Sequence, residues 1–386
     1  VRARTLSLGL VVVLAGCGQP AASAAGLAAS PGGPAVAGSS AAAGAGASAS
    51  PSVAASPSPA KVAFSAGNPA GHAAVPADGQ AVDTGHPSRV VGDGTAAGCT
   101  SAAVVAAVAA GGVITFRCGP APVTITMTAT AKVRNTVSQV VLDGGGLVTL
   151  SGGGKRRILY QDTCDKAQTW ATGHCNDQAT PQLTVQNMTF ADGNSTGETT
   201  DGGGGGAIFD RGGRLRIVNS VFLRNRCDAT GPDLGGAAVR ALDQSRQQPV
   251  YVVHSTFSDG TCSNGGALSS IGVSWVVLDS VMSHNTAIGR GANPAKAGTP
   301  GGGSGGAVYC DGNTFTVRIA GSVVSDNDAR EGGGAVFFVS NDRTGTMSID
   351  GSQLLRNPSH GFETPGLKGI YFLGARNPTV TGSTLR

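Results

Sequence analysis

Gly-Gly-Ala recurs five times in this chain, beginning at Gly205, Gly235, Gly265, Gly305 and Gly333. Counted on the second glycine, the successive steps are 30, 30, 40 and 28 residues. Behind each stands a unit of the form Ser-x-hydrophobic-x-x-Asn or a near variant. These run from Ser220 to Asn225, Ser255 to Gly260, Ser280 to Asn285, Ser322 to Asn327 and Ser352 to Asn357. Self-similarity at such a period marks stacked repeats, each too thin to bury a core alone.

Aligned on the Ser, the position five residues upstream holds Leu215, Val250, Trp275, Val317 and Met347. Three upstream stand Ile217, Val252, Val277, Ile319 and Ile349, with mostly polar residues between. This alternation is the period of a half-buried strand. Two residues after the Ser come Phe222, Phe257, Met282, Val324 and Leu354, a further apolar column. Stacking the coils ~4.8 Å apart joins these columns into one core and gives every strand a parallel neighbour. Asn225, Asn285, Asn327 and Asn357 then form an amide ladder at one corner. A β-propeller needs about four strands in 40–50 residues. Coils of ~30 residues with three short strands fit a parallel β-helix better. The expected class is all-β, a right-handed single-stranded parallel β-helix over 89–386 with a short N-terminal capping helix.

The Gly-Gly-Ala-Ile and Phe-x-x-Asn pairs resemble the repeats of polymorphic outer-membrane proteins. More broadly, residues 99–386 resemble the pectate-lyase-like right-handed β-helix group. The resemblance implies a fold; these residues build coils and carry no activity.

The N-terminus reads differently. Arg2 and Arg4 precede an apolar run from Leu6 to Ala15, then Leu14-Ala15-Gly16-Cys17. A basic start and short apolar core describe an export signal over 1–16. Leu-Ala-Gly-Cys is similar to a bacterial lipobox, which implies a lipidated Cys17 and anchorage to the cell membrane at the surface. Residues 17–88 are Ala, Gly, Ser and Pro with few large apolar residues, too little to bury a core of their own. They read as a disordered tether, with an end-to-end distance of roughly 45–50 Å for ~70 residues.

Thr100 or Ser101 can cap a helix through Ala102 to Ala110, stopped by Gly111-Gly112. Because it is Ala and Val almost all round, it must be covered. Two readings stand, a helix on the domain core and a lid on the open end of the β-helix. Val113 to Phe116 reads as the first strand, and Asp162 to Pro181 as an insertion.

Eight Cys are present. In an exported protein disulfides are permitted. Cys99 with Cys118 and Cys164 with Cys175 pair by proximity. Cys227 and Cys262 each follow the core Phe of adjacent coils by five residues, so stacking brings them within bonding range. Cys310 is left over and reads as buried and inert.

Formal net charge is +4, with no basic run or aromatic-interleaved patch, which gives nucleic-acid binding no support. Polygalacturonases resemble one another in Asn-Thr-Asp, Asp-Asp, Gly-His-Gly and Arg-Ile-Lys. This chain has no Asp-Asp pair, only His360-Gly361 and Arg318-Ile319-Ala320. The Arg-x-Pro-x-x-Arg of pectate lyases is matched only at its start, by Arg356-Asn357-Pro358 and Arg376-Asn377-Pro378.

One charged column remains. Four residues after the aligned Ser stand Arg224, Asp259, His284, Asp326 and Arg356, preceded by Asp192. It reads as an exposed ion ladder, or else Asp259 and Asp326 act as a glycosidase-like carboxylate pair with His284 between them. His254 and Asp279 form a second stacked pair one residue before the Ser.

The expected function is a lipid-anchored surface protein binding an extended polysaccharide or a partner protein, with no cofactor. The alternative is a surface-attached polysaccharide lyase or hydrolase, with Ca²⁺ only in the lyase case. At the C-terminus Pro378, Val380 and Leu385 start another coil. Either Gly361 to Gly374 folds back over it or the end pairs with a second molecule; a monomer with a frayed last coil is the favoured expectation.

Overall fold

A computed structural model describes residues 64–169, 171–199, 203–291 and 300–386. Cys17 and the expected export signal over 1–16 lie outside the described residues. Among those described, the strands form four parallel sheets of ten, nine, eight and three members. Successive coils contribute one strand to each large sheet, the pattern of a parallel β-helix.

The coil around Ser220 shows how the repeat builds this. Arg214–Val218 joins the ten-stranded sheet, Val221–Leu223 the nine-stranded and Val239–Leu242 the eight-stranded. Two bends flank the strand Val221–Leu223, at Asn219 (φ 44°) and Arg224 (φ 50°). Both occupy the left-handed region, where a single non-glycine residue can turn the chain at modest cost. Leu215, Ile217 and Phe222 point inward and are at most 1 % exposed. Phe222 stacks between Phe190 and Phe257, with ring centroids 5.0 and 4.6 Å away.

Two polar ladders fix the register. Asn285 Nδ2 donates to Asn327 Oδ1 at 2.8 Å, and Asn327 Nδ2 to Asn357 Oδ1 at 2.9 Å. Gly260 interrupts the series, and its N–H donates to Asn285 Oδ1 instead. The aligned serines form the second ladder. Backbone N–H groups of Ser220, Ser255, Ser280 and Ser322 each donate to the Oγ of the serine on the next coil, at 3.0–3.1 Å. Each of these serines is fully or almost fully buried, so the bonds satisfy groups that would otherwise be stranded.

The helix Ser101–Ala110 starts as expected, with Thr100 Oγ1 accepting from Ala103 N. Its Val104 and Val108 sit in the main core cluster. The first strand of the ten-stranded sheet is Arg89–Val91, paired to Gly112–Phe116, so Val113 to Phe116 is the second. All three disulfides are formed: Cys99–Cys118, Cys164–Cys175 and Cys227–Cys262, the last with Cα atoms 4.8 Å apart.

Two expectations are corrected. Gly361 to Gly374 does not fold back over the last coil. Its residues Ile370–Leu373 form a regular strand of the eight-stranded sheet, with Phe372 stacked on Phe338 and Tyr371 on Phe337. The expectation of disorder also fails for residues 64–88. Residues 64–88 lie as an ordered strap on the outer face of the ten-stranded sheet. Asn68 Nδ2 reaches Gly321 O, Ala73 N reaches Asp279 Oδ1, and Thr84 Oγ1 reaches Asp143 Oδ2. Gln186 brackets Val82, accepting from its N–H and donating to its carbonyl. Ala73 and Val75 cover an apolar stripe of Val218, Val253, Leu278 and Ala320. A segment too poor in apolar residues to fold alone is ordered here because the coils supply the surface it packs on.

Candidate binding face

The charged column runs along one corner of the helix, and Asp192, Arg224, Asp259, His284, Asp326 and Arg356 all have φ between 50° and 58°. The corner geometry turns these side chains outward. Arg224 Nε and Nη2 donate to the two oxygens of Asp192 at 2.8 and 3.0 Å. Arg356 clasps Asp326 in the same way at 2.6 and 2.7 Å. Arg356 holds the Asp326 carboxyl below the usual aspartate range. Asp259 accepts from Ser258 Oγ at 2.8 Å. His284 is exposed, and among the described residues neither it nor Asp259 makes an ion pair. The geometry is that of an ion ladder: Asp326 is committed to Arg356 and kept ionised, the wrong state for a general acid.

His254 and Asp279 do meet, Nε2 to Oδ2 at 3.8 Å, but Asp279 is 1 % exposed and its other oxygen holds the strap through Ala73 N. That pair docks a segment of backbone. Cys310 is fully buried, and burial pushes its thiol up to about 12, an inert group. Among the described residues no group of three or more His, Cys, Asp or Glu is placed to hold a metal ion.

The open surface lies on the ten-stranded sheet beyond the end of the strap. Strand register sets Thr316 beside Thr346, and Arg318, Ser348 and Thr379 in an outward row. Two hollows flank this row and share Arg318. One, of about 430 Å³, is walled by strap residues Ala70 to Ala74 together with Asp350. The other, of about 300 Å³, runs from Val276 to Arg376 and Asn377. Arg318 Nε lies 3.5 Å from Asp350 Oδ2, which sets the guanidinium between the hollows. Arg376 is exposed. The result is a shallow trough of mixed polar and apolar lining, with a row of hydroxyls and two arginines at its edges. Sequence reading missed it because the side chains come from three different coils and only register unites them.

No protein-family model, curated protein or solved structure matches the chain.

Proposed function

We propose that this is a lipid-anchored surface protein whose β-helix binds an extended polysaccharide without cleaving it. The observation that carries the reading is the trough around Arg318. Its Thr and Ser hydroxyls repeat at the strand spacing, ~4.8 Å, and suit a linear polymer with a repeating polar unit. Arg318 and Arg376 favour a chain bearing carboxylates or sulfates. The strap walls one end, so residues 64–88 help shape the face. The commitment of Asp326 to Arg356 argues against the hydrolase alternative. The lipid anchor rests on Leu14-Ala15-Gly16-Cys17.

Sedimentation of the protein with insoluble or bead-coupled anionic and neutral polysaccharides tests the binding. Retention on at least one anionic polymer, lost in the Arg318→Ala/Arg376→Ala variant, is expected, with no release of reducing ends. Turnover that disappears in Asp259→Ala or Asp326→Ala would overturn the reading. Labelling with a fatty-acid probe should mark the wild type and spare Cys17→Ala.

A further inference from the structure

On the corner between the eight-stranded and ten-stranded sheets, three coils border a half-open pocket of about 410 Å³. That volume falls in the usual range for small-molecule sites, ~300–1,000 Å³. Its walls are Asn176 and Asp177 from the insertion, Asp243 to Gln248 from the next connection, and Gly272 to Ser274 from the coil beyond. It shares no lining residue with the trough at Arg318.

The pocket is held open by bonds that do not involve its contents. Gln244, 5 % exposed, forms the floor, and both polar atoms of its side chain are engaged. Its Nε2 donates to Asp210 Oδ2 and to Asp243 O, and its Oε1 accepts from Leu215 N. The Cys164–Cys175 disulfide braces the insertion wall, and Arg211 Nε donates to Asn176 Oδ1 at 3.0 Å. Asp177 Oδ1 accepts from Arg246 N at 2.5 Å and ties that wall to the next. Within the connection, Asp243, Arg246 and Gln247 all have φ of 53–54°, three non-glycine residues in the left-handed region within five positions. Local backbone strain of this kind persists only where the surroundings over-determine it, and it is enriched at ligand sites.

Against this rigid frame stand solvent-facing side chains: Arg246 and Gln247 are exposed and Gln248 is half-buried. Among the described residues the carboxamides of Gln247 and Gln248 and the guanidinium of Arg246 make no hydrogen bond. Asp243 lies 3.9 Å from Arg211 Nε, and Asp177, bonded to the backbone N–H of Arg246, is offset in number by that residue's guanidinium, so the formal charges around the pocket balance. Planar amides, carboxylates and a guanidinium set around a small cavity are the groups that pair with adjacent hydroxyls. The absence of an aromatic wall limits affinity, because no ring face lines the pocket for stacking.

We infer that this pocket binds one neutral sugar residue, or a polyol of that size, through Arg246, Gln247, Gln248 and Asp243. Its preformed walls lower the ordering cost of binding.

Saturation-transfer NMR on the full chain tests this, with glucose, galactose, mannose and N-acetylglucosamine, and with glucuronate and glucosamine as charged comparators. Millimolar binding of at least one neutral sugar is expected. Affinity should fall roughly tenfold or more in Gln247→Ala/Gln248→Ala, with two carboxamides lost. It should stay unchanged in Arg318→Ala/Arg376→Ala, which separates this pocket from the trough. These surface variants keep Gln244 and the frame, and circular dichroism checks that they fold. Absence of any neutral-sugar signal, a signal that survives the Gln double variant, or preference for a charged comparator would overturn the inference.

Discussion

Asp326 and Arg356 sit on adjacent coils at the same corner, and both carboxylate oxygens accept from one guanidinium, at 2.6 and 2.7 Å. A carboxyl so held stays ionised to lower pH than a free aspartate. NMR titration of the Asp326 carboxyl should therefore show a midpoint below that of Asp in a peptide. Arg356→Ala should move it up. Because the pair is exposed, stability should change little. An unshifted midpoint in the wild type would show that the clasp does not persist in solution.

Asp210 presents the opposite case. It is fully buried, faces Gln161 and Gln244, and burial pushes its carboxyl well above the usual range. A raised folded pKa favours the protonated form. Its contribution to stability is whole below the ordinary aspartate pKa, about 3.9, and is lost as pH rises toward the folded value. Asp210→Asn should remove that slope and hold or raise stability at neutral pH. Gln161 Oε1, which has no partner among the described residues, can accept from the new amide once its carboxamide turns over, at the expense of the Nε2 bonds to Pro181 O and Gly212 O. Urea unfolding of both proteins at acidic and neutral pH measures this. A variant that loses stability equally at both would refute it.

Phe222 carries the inner stack between Phe190 and Phe257. Phe222→Ala leaves a cavity between coils that cannot close without breaking the Asn and Ser ladders on either side. Destabilisation of about 3–5 kcal/mol in chemical unfolding is expected. A cost near 1 kcal/mol would mean the coils collapse independently.

The strap is held by few bonds, of which Ala73 N to Asp279 Oδ1 is buried at the acceptor. Removing a bond to such an acceptor should speed local opening roughly tenfold or more. Hydrogen exchange at residues 67–75 should rise in Asp279→Ala while the Phe222 coil stays protected. Equal exchange in wild type and variant would show that the apolar stripe alone holds the strap.

The parts of this fold legible in sequence are those the chain repeats. Corner residues, the Phe column and the Asn ladder recur at one register, so aligning them on Ser220 and its equivalents placed Cys227 against Cys262. The serines served that alignment while their own hydrogen-bond ladder went unread, because its partners are backbone groups on other coils. Where the signal decays, the reading failed. Leu367-Lys368-Gly369 stands where Gly-Gly-Ala would, and the strand Ile370–Leu373 is missed with it.

The sequence by itself determined the coil: which residues turn, which face inward, and how long each rung is. These are local properties of backbone and side chain, and each is written five times. Only the tertiary structure decided what lies between coils and on top of them. The strap over Val253 and Leu278, the trough shared by Thr316, Ser348 and Arg376, and the pocket under Gln247 join residues tens of positions apart that follow no repeat. Composition judges 64–88 by what it can bury alone, whereas its order comes from sheet residues between 59 and 253 positions later in the chain.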